Sequence, residues 1–235
     1  MPNGPALVPR PWHLAEPPPP LPPSAAPPLL LLLHRDQPLP EGPRTALALS
    51  LSPAERQRLS AYRRPADQER FLLARASLRV LLGHWLALPP AAVTFRLGPH
   101  GKPHGDQPGA PAFNLSHAGD LILLAVHASQ PVGVDVERQR PELDWPAIAR
   151  RVLAPAELAQ LLALPEAHQP SAFLAAWCRL EARLKARGLG LGQRHRLHAE
   201  GPAAPPEHLW EVAVPPGHAA ALAMATLPSM PTCRM

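Results

Sequence analysis

The sequence predicts an α+β fold made of two similar halves, each with a small sheet packed against helices. One observation is the order of patterns, because strand, helices and further strands appear before residue 130 and again after it. A second observation is a weak internal similarity, because residues 113–119 and 212–217 both end in glycine and both precede an apolar strand pattern. We expect a pseudo-two-fold relation between the halves, with residues of both lining the cleft between them.

The predicted domains are an N-terminal arm at residues 1–27, a first half at 28–130 and a second half at 131–235. A chain of 235 residues can bury a sizeable core as one domain or two small ones. The arm carries the run Pro17–Pro20 and further prolines, which cannot extend helices or sheet ladders. We therefore predict a disordered or loosely attached arm, with a ligand for a proline-recognition domain as the alternative.

In the first half, the apolar run 29–34 is typical of a buried strand. Ser52 as N-cap and Pro53 at the first helical position predict a helix through Leu59. A second helix from about Ala66 to Leu86 has an apolar face. The remaining patterns predict strands at 93–97, 112–115 and 121–127, with a Gly- and Pro-rich loop at 98–109.

The second half repeats this order after Pro131. Its patterns predict a strand at 132–137, helices near 143–163 and 171–187, and strands near 195–199, 209–214 and 219–225.

Composition narrows the class of protein. A net charge of +5 and a pI near 10.2 favour anionic partners. No basic block and only 4% aromatic residues make nucleic acid the weaker partner. Cys178 and Cys233 form neither a disulfide framework nor a metal-ligand spacing. The run Leu29–Leu33 is too short to span a membrane, and the arm lacks the basic start of a signal peptide. We expect a soluble, cytoplasmic protein.

Two segments carry the acidic residues of interest. In an extended Gly133–Glu137 segment, Asp135 and Glu137 share one face, opposite the valines. On a helix, Glu181 and Lys185 lie one turn apart on a single face. Three carboxylates repel one another unless a cation lies among them, and Mg²⁺ prefers oxygen ligands that it shares with substrate phosphate. The alternatives are a solvated strand face paired with arginines and an ordinary ion pair on a helix.

The chain has only two lysines, Lys102 and Lys185, against 21 arginines. One lies on the same predicted helix as Glu181, and the other lies in the Gly101–Pro103 segment. Lys185 is therefore a candidate for neutralising phosphate, with chance placement as the alternative.

Four motifs together resemble the 4'-phosphopantetheinyl transferases, in particular the long, pseudo-duplicated subfamily that activates peptide and polyketide synthases. They occur in the family's order, at Gly101–Pro103, Phe113–Gly119, Gly133–Glu137 and Trp177–Lys185. The resemblance implies an enzyme that moves the phosphopantetheine of coenzyme A onto a serine of an apo acyl or peptidyl carrier protein. It implies release of adenosine 3',5'-bisphosphate by a monomer that does not use nucleic acid or a membrane.

The resemblance also implies roles for individual residues. Asp135, Glu137 and Glu181 would bind Mg²⁺, and Glu181 would be the base, with Asp135 and Lys185 also catalytic. Coenzyme A phosphates would be held by Lys102, Ser116, His117 and Lys185. The basic residues at the nucleotide end would come from Arg63, Arg64, Arg70 and Arg75.

One residue departs from the family pattern, because Leu180 stands where the family commonly has lysine. Leu180 either lies at the edge of the cleft, which we favour, or continues an apolar stripe with Trp177 and Leu184. Arg179 or Arg183 could supply the missing charge. The competing hypotheses are a degenerate, non-catalytic protein that binds coenzyme A or a carrier protein, and a nucleic-acid-binding protein.

Overall fold

The computed structural model describes residues 5–37, 41–199 and 207–226. As predicted, the fold is α+β, with small sheets packed against helices. The strands are β1 (Arg10–Pro11), β2 (Leu29–His34), β3 (Phe95–Leu97), β4 (Pro103–Gly105), β5 (Ala112–Ala118), β6 (Leu121–His127), β7 (Val132–Arg138), β8 (Glu207–Glu211) and β9 (His218–Ala225). The α-helices are α1 (Glu41–Ser50), α2 (Pro53–Ala61), α3 (Pro65–Trp85), α4 (Trp145–Val152), α5 (Pro155–Leu162), α6 (Gln169–Ala186) and α7 (Arg194–His198).

The sheet of the first half has the order β1-β2-β6-β5, and every residue of β6 is buried. Successive side chains of a strand point to opposite faces, so both faces of β6 need a partner. Ile122, Leu124 and Val126 pack in the cluster that contains the apolar face of α3. Leu121 and Leu123 pack against valines of β7 instead. The first sheet is therefore covered by its own helix on one side and by the second half on the other.

The sheet of the second half has the order β7-β9-β8, and α6 covers its other face. The contact is made by small residues, with Cys178, Ala182 and Ala186 of α6 against alanines of β9. Small side chains let a helix approach a sheet closely. This close approach brings α6 beside β7.

The two halves have the same connectivity, which agrees with the predicted duplication. In each half the last strand lies between the first strand and its hairpin partner, giving β2-β6-β5 and β7-β9-β8 with antiparallel pairing throughout. The glycines that end the two similar segments lie in corresponding hairpin turns, between β5 and β6 and between β8 and β9. Gly119 has φ 56° and Gly217 has φ 78°. Such positive φ values favour glycine. The boundary at residue 130 itself stays a prediction.

The prediction of a disordered or loosely attached arm is wrong for residues 5–27. β1 pairs in parallel with β2, and Trp12 is 2% exposed within the core of the first half. The Trp85 indole donates to the Pro19 carbonyl at 2.8 Å. Burial of a large indole outweighs the poor ladder-forming ability of the prolines. Residues 1–4 lie outside the described part.

Several predicted elements need correction. Residues 195–199, predicted as a strand, belong mainly to α7, because Leu197 packs into the cluster around α6. The predicted helix 143–163 divides at Pro155, which begins α5. Residues within the predicted loop 98–109 form β4, which pairs with β3, and β5 continues to Ala118. Helix α1 was not predicted. Among the described residues no helix is long and apolar enough to cross a membrane.

Candidate active site

The acidic residues of β7 face α6. Val132, Val134 and Val136 are buried between the two sheets, so Asp135 and Glu137 point to the opposite side, as the alternation predicts. Gly133 shares this face. A Cβ atom at Gly133 would overlap the Ala182 carbonyl oxygen and the Ala186 nitrogen. Glycine is therefore required for α6 to lie directly on β7.

Six of the seven predicted site residues line one cavity of about 380 Å³. Its lining consists of Leu115, Ser116, His117, Asp135, Val136, Glu137, Trp177, Glu181 and Lys185. Three elements supply them: β5 from the first half, and β7 and α6 from the second. The cavity thus lies at the junction of the two halves.

Asp135 is 3% exposed, and its two carboxylate oxygens have different surroundings. Oδ1 accepts hydrogen bonds from the Ser116 hydroxyl at 3.0 Å and from the Lys185 ammonium at 2.6 Å. Oδ2 is buried and has no hydrogen-bond partner among the described residues. An unpaired buried carboxylate oxygen is costly, so this atom marks a place for a ligand.

The other two carboxylates have raised pKa values. Burial raises the pKa of Glu137, the charge of Asp135 raises it further, and a hydrogen bond with Trp177 opposes the shift. Burial also raises the pKa of Glu181; Lys185 opposes this shift, and Asp135 and Glu137 add to it. The cavity therefore holds more negative charge than Lys185 alone balances.

This set of donors fits Mg²⁺. Three carboxylates line the cavity, hard cations prefer oxygen ligands, and the unpaired Oδ2 of Asp135 needs a partner. Across the described ranges, no three His, Cys, Asp or Glu side chains are gathered closely enough to form a ready-made metal site. The ammonium of Lys185 lies against Asp135 instead.

A second cavity of about 510 Å³ shares His117 and Glu137 with the first and is lined by arginines. The arginines are Arg64, Arg70, Arg138 and Arg140. Arg70 donates to the Gly119 carbonyl at 2.9 Å and pairs with Asp67 at 2.8 Å. Desolvation lowers the pKa of the His117 imidazole, and the nearby Arg70 charge lowers it further. Asp67, Glu137 and Glu142 also line this cavity, so its four arginines outnumber its carboxylates by one. We call it the cationic cavity, and its arginines are suited to binding an anion.

Lys102 is the predicted site residue that the structure places elsewhere. Its ammonium donates to the backbone carbonyls of Lys185 at 2.6 Å, Val132 at 2.8 Å and Ala186 at 3.4 Å. Its side chain lines a separate cavity beside β4. Burial lowers the pKa of Lys102 to about 8. The expectation that its ammonium meets a phosphate at the acidic cavity is therefore not supported.

The nucleotide-end arginines separate into two groups. Arg64 and Arg70 line the cationic cavity, whereas Arg63 does not line it and is exposed to solvent. Arg75 pairs with Glu55 at 2.6 Å and stacks over the Phe95 ring, which is a structural role.

The prediction that Leu180 lies at the edge of the cleft is wrong. Leu180 is 5% exposed and packs in the apolar cluster with Phe173 and Leu184, because it points away from Glu181 on the helix. The proposed substitutes for the missing charge are also engaged elsewhere. Arg179 pairs with Glu211, and Arg183 pairs with Glu207.

Sequence reasoning missed four residues in or beside the two cavities. Trp177 was assigned only to the apolar stripe, yet it lines the cavity beside Glu137. Asn114 accepts from the Val134 backbone N–H at 2.8 Å and so joins β5 to β7. The alternation of Asn114 and Ser116 along β5 could have indicated a polar face. Arg138 and Arg140, at and just beyond the end of β7, were not singled out.

Comparisons with known proteins agree with this geometry. Residues 131–214 match the 4'-phosphopantetheinyl transferase superfamily, and residues 37–129 match the N-terminal region of 4'-phosphopantetheinyl transferase. The chain is 35% identical over 161 residues to the 4'-phosphopantetheinyl transferase HetI of Nostoc sp., covering 67% of this chain and 68% of HetI. It is 30% identical over 176 residues to the 4'-phosphopantetheinyl transferase Sfp of Bacillus subtilis, covering 72% and 76%.

A putative 4'-phosphopantetheinyl transferase of Synechocystis sp. is 36% identical over 143 residues, which are 60% of this chain and 58% of that relative. The chain therefore belongs to the 4'-phosphopantetheinyl transferase superfamily, in its Sfp-type subfamily.

Proposed function

We propose that this protein transfers the 4'-phosphopantetheine group of coenzyme A to a serine of an apo acyl or peptidyl carrier protein. The reaction depends on Mg²⁺ and releases adenosine 3',5'-bisphosphate. The observation that carries the proposal is the single cavity lined by three carboxylates, Lys185 and His117, in which Oδ2 of Asp135 has no partner among the described residues. We further propose that the enzyme acts as a cytoplasmic monomer.

Asp135, Glu137 and Glu181 would hold the metal ion. Bound Mg²⁺ supplies a Lewis acid that makes phosphorus more electrophilic and stabilises the charge of the leaving bisphosphate. The Ser116 hydroxyl orients Asp135 through a hydrogen bond at 3.0 Å. This contact holds the Asp135 carboxylate in place before substrate arrives.

Glu181 is the proposed base. Its carboxylate lines the cavity with Asp135 and Lys185, so it is placed to accept a proton from a hydroxyl bound there. The carrier serine loses its proton to Glu181, its oxygen forms a bond to phosphorus, and the bond from phosphorus to the bisphosphate oxygen breaks. Lys185, whose ammonium lies in the cavity, pairs with substrate phosphate through charge-assisted hydrogen bonds.

The nucleotide end would occupy the cationic cavity. Arg64 and Arg70 come from the first half, whereas Arg138 and Arg140 come from the second. Because His117 and Glu137 line both cavities, an anion in the cationic cavity lies beside the carboxylates.

Incubation with coenzyme A, Mg²⁺ and apo carrier proteins from fatty acid, polyketide and peptide synthesis tests the proposal. We expect mass spectrometry to show one added phosphopantetheine on at least one carrier. Excess chelator should abolish the reaction, and added Mg²⁺ should restore it. Coenzyme A binding without any change in carrier mass would instead support the non-catalytic binder, and full activity in chelator would disprove the metal requirement.

A further inference from the structure

The Lys102 ammonium lies where three backbone carbonyls of the second half converge. Lys102 belongs to the turn between β3 and β4 of the first half, and the Gly98 N–H closes this turn by donating to the Lys102 carbonyl at 2.8 Å. From there the side chain reaches the Lys185 carbonyl at 2.6 Å and the Val132 carbonyl at 2.8 Å. It is a cationic contact between the two halves.

These carbonyls belong to the two elements that carry the acidic residues. Lys185 and Ala186 are the last two residues of α6, whose terminal carbonyls form the negative end of the helix. Val132 is the first residue of β7. A cation is favourable at such a helix end, so Lys102 stabilises the contact of α6 with the beginning of β7.

We propose that Lys102 is a positioning residue, which holds the end of α6 against β7 and so sets Glu181 and Lys185 relative to Asp135. The proposal rests on the proposed transferase function and replaces the expectation that the Lys102 ammonium binds phosphate. The tight contact at Gly133 supports it, because the same last turn of α6 already lies directly on β7.

The geometry also accounts for lysine in a chain with 21 arginines and two lysines. An ammonium presents three donors from one nitrogen and can meet carbonyls that converge on a point. A planar guanidinium presents its donors as a rigid fork, which suits phosphate and carboxylate but not this arrangement. Arginine should therefore fail to replace lysine at position 102.

Nuclear magnetic resonance of the wild-type protein grown with ¹³Cε-labelled lysine gives the first test. Two lysines give two signals, which the spectrum of Lys185→Arg assigns. Adding coenzyme A and Mg²⁺ should shift the Lys185 signal and leave the Lys102 signal nearly unchanged. A Lys102 signal that shifts as much as that of Lys185 would overturn the inference alone. If neither signal moves, the coenzyme A site and the inference fail together.

Steady-state kinetics of Lys102→Met and Lys102→Arg give the second test. Both variants should lose about tenfold or more in kcat, because small misplacements of catalytic groups are costly, while KM for coenzyme A stays within about twofold. Arg96→Met is the matched control, since Arg96 lies on the same hairpin, is exposed and is 3.9 Å from Asp106. It should leave both constants unchanged.

A phosphate ligand would behave differently, with a raised KM in Lys102→Met that Lys102→Arg restores. That result, or normal kcat in Lys102→Met, overturns the positioning role. If Lys102→Met does not fold, the resonance experiment on the wild-type protein still decides.

Discussion

At Asp135 one carboxylate oxygen is satisfied by Ser116 and Lys185, and the other is buried without a partner among the described residues. Glu137 and Glu181 add charge beside it, and their raised pKa values show that the folded chain disfavours their ionised forms. The protein therefore gives up stability at these residues, as is typical of functional sites.

Replacing Glu181 by glutamine should separate activity from stability. Because the pKa of Glu181 is higher in the folded than in the unfolded chain, its ionised form costs stability above the folded pKa. Glu181→Gln should raise, or leave unchanged, the thermal midpoint of the metal-free protein at neutral pH. Turnover of an apo carrier protein should fall by a factor on the order of a hundred, since a metal ligand and the base are lost.

Glu166→Gln is the control for this experiment, because Glu166 is an exposed glutamate of the same half. Glu166→Gln should change neither the thermal midpoint of the metal-free protein nor the turnover of an apo carrier protein. Normal turnover in Glu181→Gln would show that the base is misassigned.

The variant Leu180→Lys tests whether restoring the lysine that the family commonly has at this position would improve coenzyme A binding. Leu180 is buried in the apolar cluster around Phe173, so Leu180→Lys places an unpaired charge in the core. We expect a loss of about 3 kcal/mol or more in the free energy of unfolding and no gain in coenzyme A affinity.

Arg179→Lys introduces the same side chain at the preceding, partly exposed position and should be nearly neutral. Denaturant unfolding and calorimetric titration with coenzyme A measure the two effects. Tighter coenzyme A binding in a stable Leu180→Lys variant would restore the cleft-edge interpretation.

Among the secondary-structure elements, the contact of α6 with β7 decides the geometry of the site. Small residues bring α6 onto the second sheet, and Gly133 lets its last turn lie on β7. The separation of Glu181 from Asp135 therefore depends on residues that carry no charge.

Gly133→Ala should push α6 away from β7. The new Cβ would meet backbone atoms, including the Lys185 carbonyl carbon at 2.8 Å, and backbone cannot move aside as a flexible side chain can. We expect a loss of about 2 kcal/mol or more in unfolding free energy, together with lower turnover. Gly192→Ala is the matched control, since its Cβ would meet nothing within 4 Å. Equal stability of the two variants would contradict the packing argument.

At the scale of the whole molecule, the N-terminal arm joins the two halves. Leu7 exchanges backbone hydrogen bonds with Glu211 and Ala213 of the second half, at 2.8 and 2.9 Å. A few residues later β1 pairs with β2 of the first half, and Trp12 enters its core. Residues of the arm thus contact both halves and link them.

Trp12→Ala should lower the free energy of unfolding by about 3–5 kcal/mol, because it removes a buried aromatic side chain from the core. Val8→Ala, at a position that is 76% exposed in the same arm, should be nearly neutral. Denaturant unfolding of both variants measures the difference. An unfolding free energy that is unchanged in Trp12→Ala would restore the prediction of a loosely attached arm.

Local sequence patterns were enough to predict the features that depend only on residues close together in the chain. The N-cap that starts α2 at Ser52, the alternation of β7 and the repeated order of strands and helices follow from spacing alone. The shared face of Asp135 and Glu137 follows from the same period of two.

The tertiary structure decided what depends on contacts between distant segments. Residue type alone does not distinguish Lys102 from Lys185. In the structure the Lys102 ammonium donates to backbone carbonyls, whereas the Lys185 ammonium donates to Asp135. Leu180 and Glu181 are adjacent in the chain, but successive residues of a helix point in different directions, so one enters the core and the other the cavity. The proline-rich arm resembles a disordered segment in composition, and only the core contacts that bury Trp12 show that its described residues 5–27 pack on the first half. Composition and spacing thus determined which residues were available for chemistry, whereas burial and long-range contacts selected which of them meet.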